Sequence, residues 1–247
     1  MQILRNLYQL SGYDFGTVTS LYAAKGKDSI AIVEGGDEND WRVAKETLAY
    51  WGLSNLPISH VFITHSHQGH SQNAVMFRKM GAKIVAVRGD ADAIEKGDDR
   101  INDFGPFYIE QPFVPCPVDI RPKDGEIINA SGYAFQAIHL PGHTDGSHFL
   151  KLVIDDKVIF FTGDIERAYS HEDFRAARSS WSGGSDYDRA TLMESTKKMS
   201  HLEADILLPS HGQKTMVEAW KILKGMYLRA LVDWRGPAIA DPGFPID

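Results

Sequence analysis

The chain has 247 residues, of which 43% are hydrophobic and 24% are charged, a composition typical of a globular domain. The formal net charge of −7, with no dense basic patch, excludes general attraction to a phosphate backbone. The single cysteine, Cys116, excludes an intramolecular disulfide, and no apolar run approaches the roughly 20 residues of a membrane span. Since the N-terminus also lacks a secretory signal, we expect one cytoplasmic domain over residues 1–247 that binds neither nucleic acid nor membrane.

The first half of the chain alternates short apolar strands with amphipathic helices. Its pattern predicts strands at residues 17–23 and 29–33, a helix at 40–51, a strand at 58–64, a helix at 74–80 and a strand at 83–87. Gly52 and Gly81 follow the two helices and are suited to end them.

The second half continues with more strands. It predicts strands at residues 134–140, 148–154 and 157–162, a helix at 188–202, a strand at 206–208 and a helix at 216–234. Both halves therefore combine strands and helices, which favours packed sheets with helices outside. Periodicity alone does not separate this arrangement from other α/β folds.

Three histidines follow the strand at 58–64, in the segment Thr-His-Ser-His-Gln-Gly-His. His65 and His67 are two residues apart, so in an extended segment they point to the same side. Two imidazoles on one side form half of a tetrahedral zinc site. His70 lies where the chain turns into a helix, so it points elsewhere and is placed to bind a neighbouring metal.

Three other polar residues follow apolar strands, each beside a glycine or proline. They are His143, Asp164 and His211. Loops at strand ends are where rigid scaffolds build sites. A single histidine in such a place is more often a hydrogen-bonded surface residue, but four strand-end motifs together favour a metal centre. Asp164 is the natural bridge between two cations, because a carboxylate has two oxygens to share.

The combined motifs resemble the metallo-β-lactamase superfamily, especially its glyoxalase-II-like and lactonase-like hydrolases, from about Thr17 to Gly212. They are Val-Glu-Gly-Gly at 33–36, the histidine cluster at 65–70, Pro-Gly-His-Thr-Asp-Gly-Ser at 141–147, Gly-Asp at 163–164 and Pro-Ser-His-Gly at 209–212. The resemblance implies an α/β protein with an αββα sandwich. It also implies a first metal on His65, His67 and His143, a second metal on His70 and His211, and Asp164 as the bridge.

One position departs from the family motif His-x-His-x-Asp-His. The fifth residue is Gly69, which has no side chain to bind the second metal or to orient the attacking water. Three outcomes stay open: one metal only, two metals with water or a side chain filling the gap, or a binding role without hydrolysis. The nearby side chains considered for the gap are Asp145, His148 and Gln68.

The resemblance indicates a hydrolase in which a metal-bound hydroxide attacks a small ester, thioester, lactone or lactam. A bound cation lowers the pKa of water to about 7, and Asp164 is the catalytic residue expected to position the nucleophile. Zinc is the expected metal, as one or two ions. Fe(II) or Mn(II) is the alternative, because His70, Asp164 and His211 form a two-histidine, one-carboxylate set.

Two other functions stay open: an iron-dependent oxygenase of the persulfide dioxygenase kind, and a non-catalytic ligand-binding relative. The expected partner is a small-molecule substrate, and a homo-oligomer is not excluded.

Two segments are candidates for shaping substrate choice. Residues 97–117 are rich in proline and aromatic residues, and residues 165–187 carry three arginines beside aromatic side chains.

Overall fold

A computed structural model describes residues 1–102, 112–165 and 184–235. Parts of the two segments expected to shape substrate choice, residues 103–111 and 166–183, lie outside the described residues. No helix in the described part of the chain is both long enough and apolar enough to cross a membrane.

Two sheets form the centre of the fold. The first is built from β1 (Gln2–Leu4), β2 (Leu7–Gln9), β3 (Tyr22–Lys25), β4 (Ile30–Val33), β5 (Ile58–Phe62) and β6 (Lys83–Val85), in that order. The second is built from β7 (Ile127–Ala130), β8 (Tyr133–His139), β9 (His148–Ile154), β10 (Lys157–Gly163) and β11 (Ile206–Pro209). In this sheet too, strands that follow each other in the sequence are neighbours.

Helices cover the outer face of each sheet. They are α1 (Glu38–Tyr50), α2 (Gln68–Ser71), α3 (Ala74–Lys79), α4 (Arg88–Lys96), α5 (Arg189–Met199) and α6 (Trp220–Arg235). One apolar cluster joins the first sheet to α1, α3 and α4, and another joins the second sheet to α5 and α6. A third lies between the sheets, so the layers are helix, sheet, sheet, helix. The predicted α/β class and αββα sandwich are confirmed.

Strand β4 shows why the sequence folds into these layers. Its four residues are all buried, because successive side chains alternate between two covered faces. Ile30 and Ile32 face the helices, whereas Ala31 and Val33 face the second sheet. A strand exposed on one face would need polar residues at every second position.

The strand directions bring four loops to one edge of the sandwich. In the first sheet β4, β5 and β6 are parallel, and in the second sheet β10 and β11 are parallel. Strand β9 is antiparallel to β10, so the loop that enters β9 lies beside the carboxyl end of β10. The loops after β5, β8, β10 and β11 therefore meet, and these loops, together with α2 directly after the first of them, carry every predicted ligand.

Several predicted boundaries were wrong, and three of these errors have a clear structural cause. The strand predicted from residue 17 begins at Tyr22, because Thr19 and Ser20 donate their backbone N–H groups to acceptors outside the sheet, Asp40 Oδ1 in α1 and the Ser210 carbonyl oxygen. The helix predicted from 216 begins at Trp220, since Glu218 has φ 50°, which a right-handed helix does not allow.

The third error is the strand predicted at 83–87, which ends at Val85 and is followed by the unpredicted helix α4. After Val85 the chain leaves the sheet, and the Ala86 N–H binds the Ile120 carbonyl oxygen. Sequence reasoning also missed the N-terminal hairpin of β1 and β2 and strand β7. These elements are only three or four residues long, too short to show a period.

Candidate metal centre

The first set of histidines comes from two loops that are distant in the sequence. His65 and His67 follow β5, and His143 lies between β8 and β9. One ring nitrogen from each of the three lies within 4.8 Å of the others. All three side chains are buried, so the structure brings together the set that the sequence assigned to a first metal.

The second set surrounds Asp164, which follows β10. Nε2 of His70 lies 3.4 Å from Asp164 Oδ1, and Nε2 of His211 lies 3.3 Å from the same oxygen. One ligand atom from each of His65, His70 and Asp164 lies within 4.8 Å of the others, and His211 does not belong to this group. His211 is thus held to this set through Asp164, and its side chain is 19% exposed.

Asp164 lies between the two sets. Its Oδ1 faces His70 and His211, while its Oδ2 is 3.9 Å from Nε2 of His143. The rings of His65 and His70, one from each predicted set, are 3.9 Å apart between centroids. The two sets therefore share one buried space around a single carboxylate, as a bridging ligand requires.

The protonation state of His65 is the one that metal binding requires. Burial, together with the neighbouring rings of His70 and His67, holds the pKa of His65 well below its ordinary value. The ring is therefore neutral near pH 7, the form in which imidazole binds metal. Its Nε2 is buried and has no hydrogen-bond partner among the described residues. A buried nitrogen lone pair without a donor is costly, and a cation would satisfy it.

Glu34 determines which nitrogen of His65 is available. Thr64 Oγ1 donates to Glu34 Oε1 at 2.5 Å and lies 3.2 Å from His65 Nδ1. Because the hydroxyl has one proton and gives it to Glu34, it accepts from Nδ1–H of His65. The lone pair is then on Nε2, facing the site. Such hydrogen bonds behind a ligand histidine orient the ring and set its tautomer.

Glu34 also contacts the second set, and sequence reasoning missed it as a functional residue. Its Oε2 lies 3.3 Å from Nδ1 of His70, and Ser210 Oγ donates to Oε1 at 2.6 Å. Glu34 has φ 74°, an uncommon conformation outside glycine that surrounding contacts must hold. The signal in the sequence was an acidic residue directly after the apolar strand β4 and before two glycines.

Gly69 leaves space where the family motif has a carboxylate. It lies in α2, and a Cβ built on it would meet only Thr19 Oγ1, at 3.7 Å. Among the described residues, neither Asp145 nor His148 joins either metal-binding set. Asp145 is exposed, and its backbone N–H binds Asp186. The structure therefore supplies no protein ligand for this position from these two side chains.

His148 has a structural role instead. It is buried at the start of β9, and its Nδ1 donates to the Gly146 carbonyl oxygen at 3.0 Å. Burial lowers the pKa of His148 from 6.5 to about 4. The folded state therefore resists protonation of this ring, and acid favours the unfolded chain.

This pKa shift predicts a pH-dependent stability. A depressed histidine pKa contributes stability above pH 6.5 that is lost as the pH falls toward 4. From pH 7 to pH 5 we expect this ring to lower the free energy of unfolding of the metal-free protein by about 2 kcal/mol. Denaturant unfolding of the wild type and of His148→Gln measures it. The variant should lose less stability over this range, and equal losses would contradict the assignment.

Comparison with known proteins supports the same fold. The sequence pattern of the family described as the Metallo-beta-lactamase superfamily matches residues 13–211. The chain is 28% identical over 167 residues to a hydroxyacylglutathione hydrolase of Haemophilus influenzae, with 66% of this chain and 73% of that protein covered. It is 25% identical over 165 residues to an atrochrysone carboxyl ACP thioesterase of Pseudocercospora fijiensis; the match covers 66% of this chain but only 41% of that protein.

The solved structures agree in fold. BJP-1, a subclass B3 metallo-beta-lactamase of Bradyrhizobium japonicum, superposes with a TM-score of 0.71 over 91% of this chain and 88% of its own. The sequence identity is 16%, so this likeness concerns the arrangement of the chain and not its substrate.

Proposed function

Because the chain belongs to the metallo-β-lactamase superfamily, we propose that it is a metal-dependent hydrolase of a small ester, thioester, lactone or lactam. One observation carries the proposal: two sets of histidines meet around the single carboxylate of Asp164. A purely structural core would not gather so many buried imidazoles, because each one needs a partner for its lone pair.

The proposed metal is zinc, held first by His65, His67 and His143. His70, Asp164 and His211 would hold a second ion more weakly, since Gly69 contributes no ligand. When bound, the metal supplies a water pKa near 7 and stabilises negative charge on the substrate oxygen. The side chains needed for such a site are neutral imidazoles and a carboxylate, and these are the groups present.

Asp164 has a second proposed role. Its oxygens face both sets, so it is the acceptor that would hold the attacking water and take up its proton. The substrate would enter beside Gly69, which is exposed, and His211, whose side chain is partly exposed. The other four ligand histidines are buried, so this side offers the open approach to the centre.

The names of two relatives narrow the range of substrates to test, because both names describe the same kind of reaction. One relative is named a thioesterase and the other a hydroxyacylglutathione hydrolase. Both names describe the transfer of an acyl group to water, so thioesters and esters are the first substrates to test. The β-lactamases in the structural comparison share the fold at low identity and give β-lactams no preference.

The test is metal analysis beside a substrate panel. Purified protein should contain between one and two equivalents of zinc and hydrolyse at least one ester, thioester or lactone. A chelator should abolish that activity, and added zinc should restore it. Protein that binds no divalent metal tightly would contradict the proposal.

One observation favours a second candidate. Without a ligand at Gly69, the second set is two histidines and one carboxylate, the donor set of non-haem iron oxygenases. Purified protein that contains iron, and consumes oxygen in the presence of a persulfide, would replace the hydrolase proposal with this one.

A further inference from the structure

We propose that Asp90 is a positioning residue that fixes the two ligand loops of the first set relative to each other. The inference rests on the proposed metal site and adds a residue that is not a ligand. Asp90 lies in the first turn of α4 and is completely buried. Its two carboxylate oxygens contact the loop after β5 and the loop between β8 and β9.

The hydrogen bonds of Asp90 reach the immediate neighbours of the ligands. Its Oδ2 accepts from the backbone N–H of Ser66, which lies between His65 and His67, at 3.0 Å. The same oxygen accepts from Thr144 Oγ1, next to His143, at 2.7 Å. One oxygen atom therefore joins the two loops that supply all three histidines of the first set.

The second carboxylate oxygen of Asp90 also binds the loop between β8 and β9. Asp90 Oδ1 accepts from the backbone N–H of Gly146 at 3.0 Å. A Cβ at Gly146 would lie 2.6 Å from the Asp90 nitrogen, and one at Gly89 would lie 2.7 Å from the Cβ of Asp145. Glycine at both positions is what lets the loop approach the start of α4 closely enough for these bonds.

The partners of Asp90 differ from those of an ordinary acid in a first helical turn. Asp40 occupies the corresponding third position of α1, where one oxygen accepts from the backbone N–H of Asp37 at the start of its own helix and the other accepts from Thr19. Among the described residues, all the hydrogen bonds that Asp90 accepts come from the two loops. Helix capping alone therefore does not account for this carboxylate.

The hydrogen bonds of Asp90 would preorganise the three histidines of the first set for metal binding. His65 and His67 are about 75 residues away from His143 in the sequence, and their nitrogens must still converge within 4.8 Å. Hydrogen bonds that orient ligands from outside the ligand set typically change metal affinity by about 10–100-fold when they are removed. We expect an effect of this size from Asp90.

The experiment compares zinc affinity in four full-length proteins by competition with a chelator of known affinity. They are the wild type, Asp90→Asn, Thr144→Val and Thr47→Val. Thr47→Val is the matched control, because Thr47 is also buried and donates its Oγ1 hydrogen bond to the carbonyl oxygen of Leu10, which belongs to none of the ligand loops. Thermal unfolding of each metal-free protein reports the loss of stability separately.

The expected result is that Asp90→Asn weakens the tightest zinc site by about 10–100-fold and Thr144→Val weakens it by several-fold. Thr47→Val should leave the affinity unchanged even where it lowers the unfolding temperature. The visible spectrum of the Co(II)-loaded protein should change for Asp90→Asn and Thr144→Val only, because it reports ligand geometry. If Asp90→Asn does not fold, Thr144→Val decides the question.

Two results would overturn the inference while leaving the proposed function intact. One is zinc affinity like that of the wild type in Asp90→Asn and Thr144→Val. The other is an equal loss in Thr47→Val, which would show that affinity follows stability in general. A wild-type protein that binds no zinc would instead overturn the proposed metal site itself, and this inference with it.

Discussion

Replacing His143 with alanine is expected to remove the tightly bound metal and to lower hydrolysis by on the order of 10³-fold or more. A metal contributes several kcal/mol of transition-state stabilisation, and about 1.4 kcal/mol corresponds to tenfold in rate. His143 is the one member of the first set that comes from the second sheet, and its Nε2 also approaches Asp164. Its loss therefore leaves two histidines on one loop, which cannot complete a tetrahedral site.

Elemental analysis and initial rates on the best substrate of the panel measure this effect. His201→Ala is the matched control, because His201 is exposed and belongs to neither set. It should keep the metal content and activity of the wild type. His65→Ala should behave like His143→Ala. Full metal content and turnover in either ligand variant would show that the first set was assigned wrongly.

Replacing Gly69 with aspartate is expected to raise the occupancy of the second site toward two metals per chain. The added Cβ has room, since its nearest neighbour is Thr19 Oγ1 at 3.7 Å, and the residue lies in a helix that tolerates any L-amino acid. A charge-assisted contact is worth roughly 1.5–3 kcal/mol, so the second ion should bind about 10–100-fold more tightly.

Metal titration followed by elemental analysis measures the change. Gly69→Ala separates the effect of a side chain from that of a carboxylate, and Gly69→Asn adds a similar volume without charge. Only the aspartate variant should gain the second ion at low metal concentration. An unchanged stoichiometry would mean that another group already occupies the position, and that the gap is not the reason for any weakness of the second site.

The six predicted ligands could be found from the sequence because each depends on local order. An apolar strand followed by a histidine or an aspartate beside a glycine is a short pattern, and the strand fixes where the next residue points. The same reasoning predicted β9 with both of its boundaries, and buried and more exposed residues alternate over the last five of its seven positions. The family resemblance then joined the separate motifs into one centre.

Only the tertiary structure shows which buried acids contact the neighbours of the predicted ligands. Glu34 contacts Thr64, His70 and Ser210, and Asp90 contacts Ser66, Thr144 and Gly146. These partners are 24 to 176 residues away in the sequence, so the sequence around either acid does not reveal which residues it contacts. Sequence order determines which side chains stand at the strand ends. The packing of the two sheets decides which buried carboxylates lie behind them, because hydrogen bonds depend on distance in space.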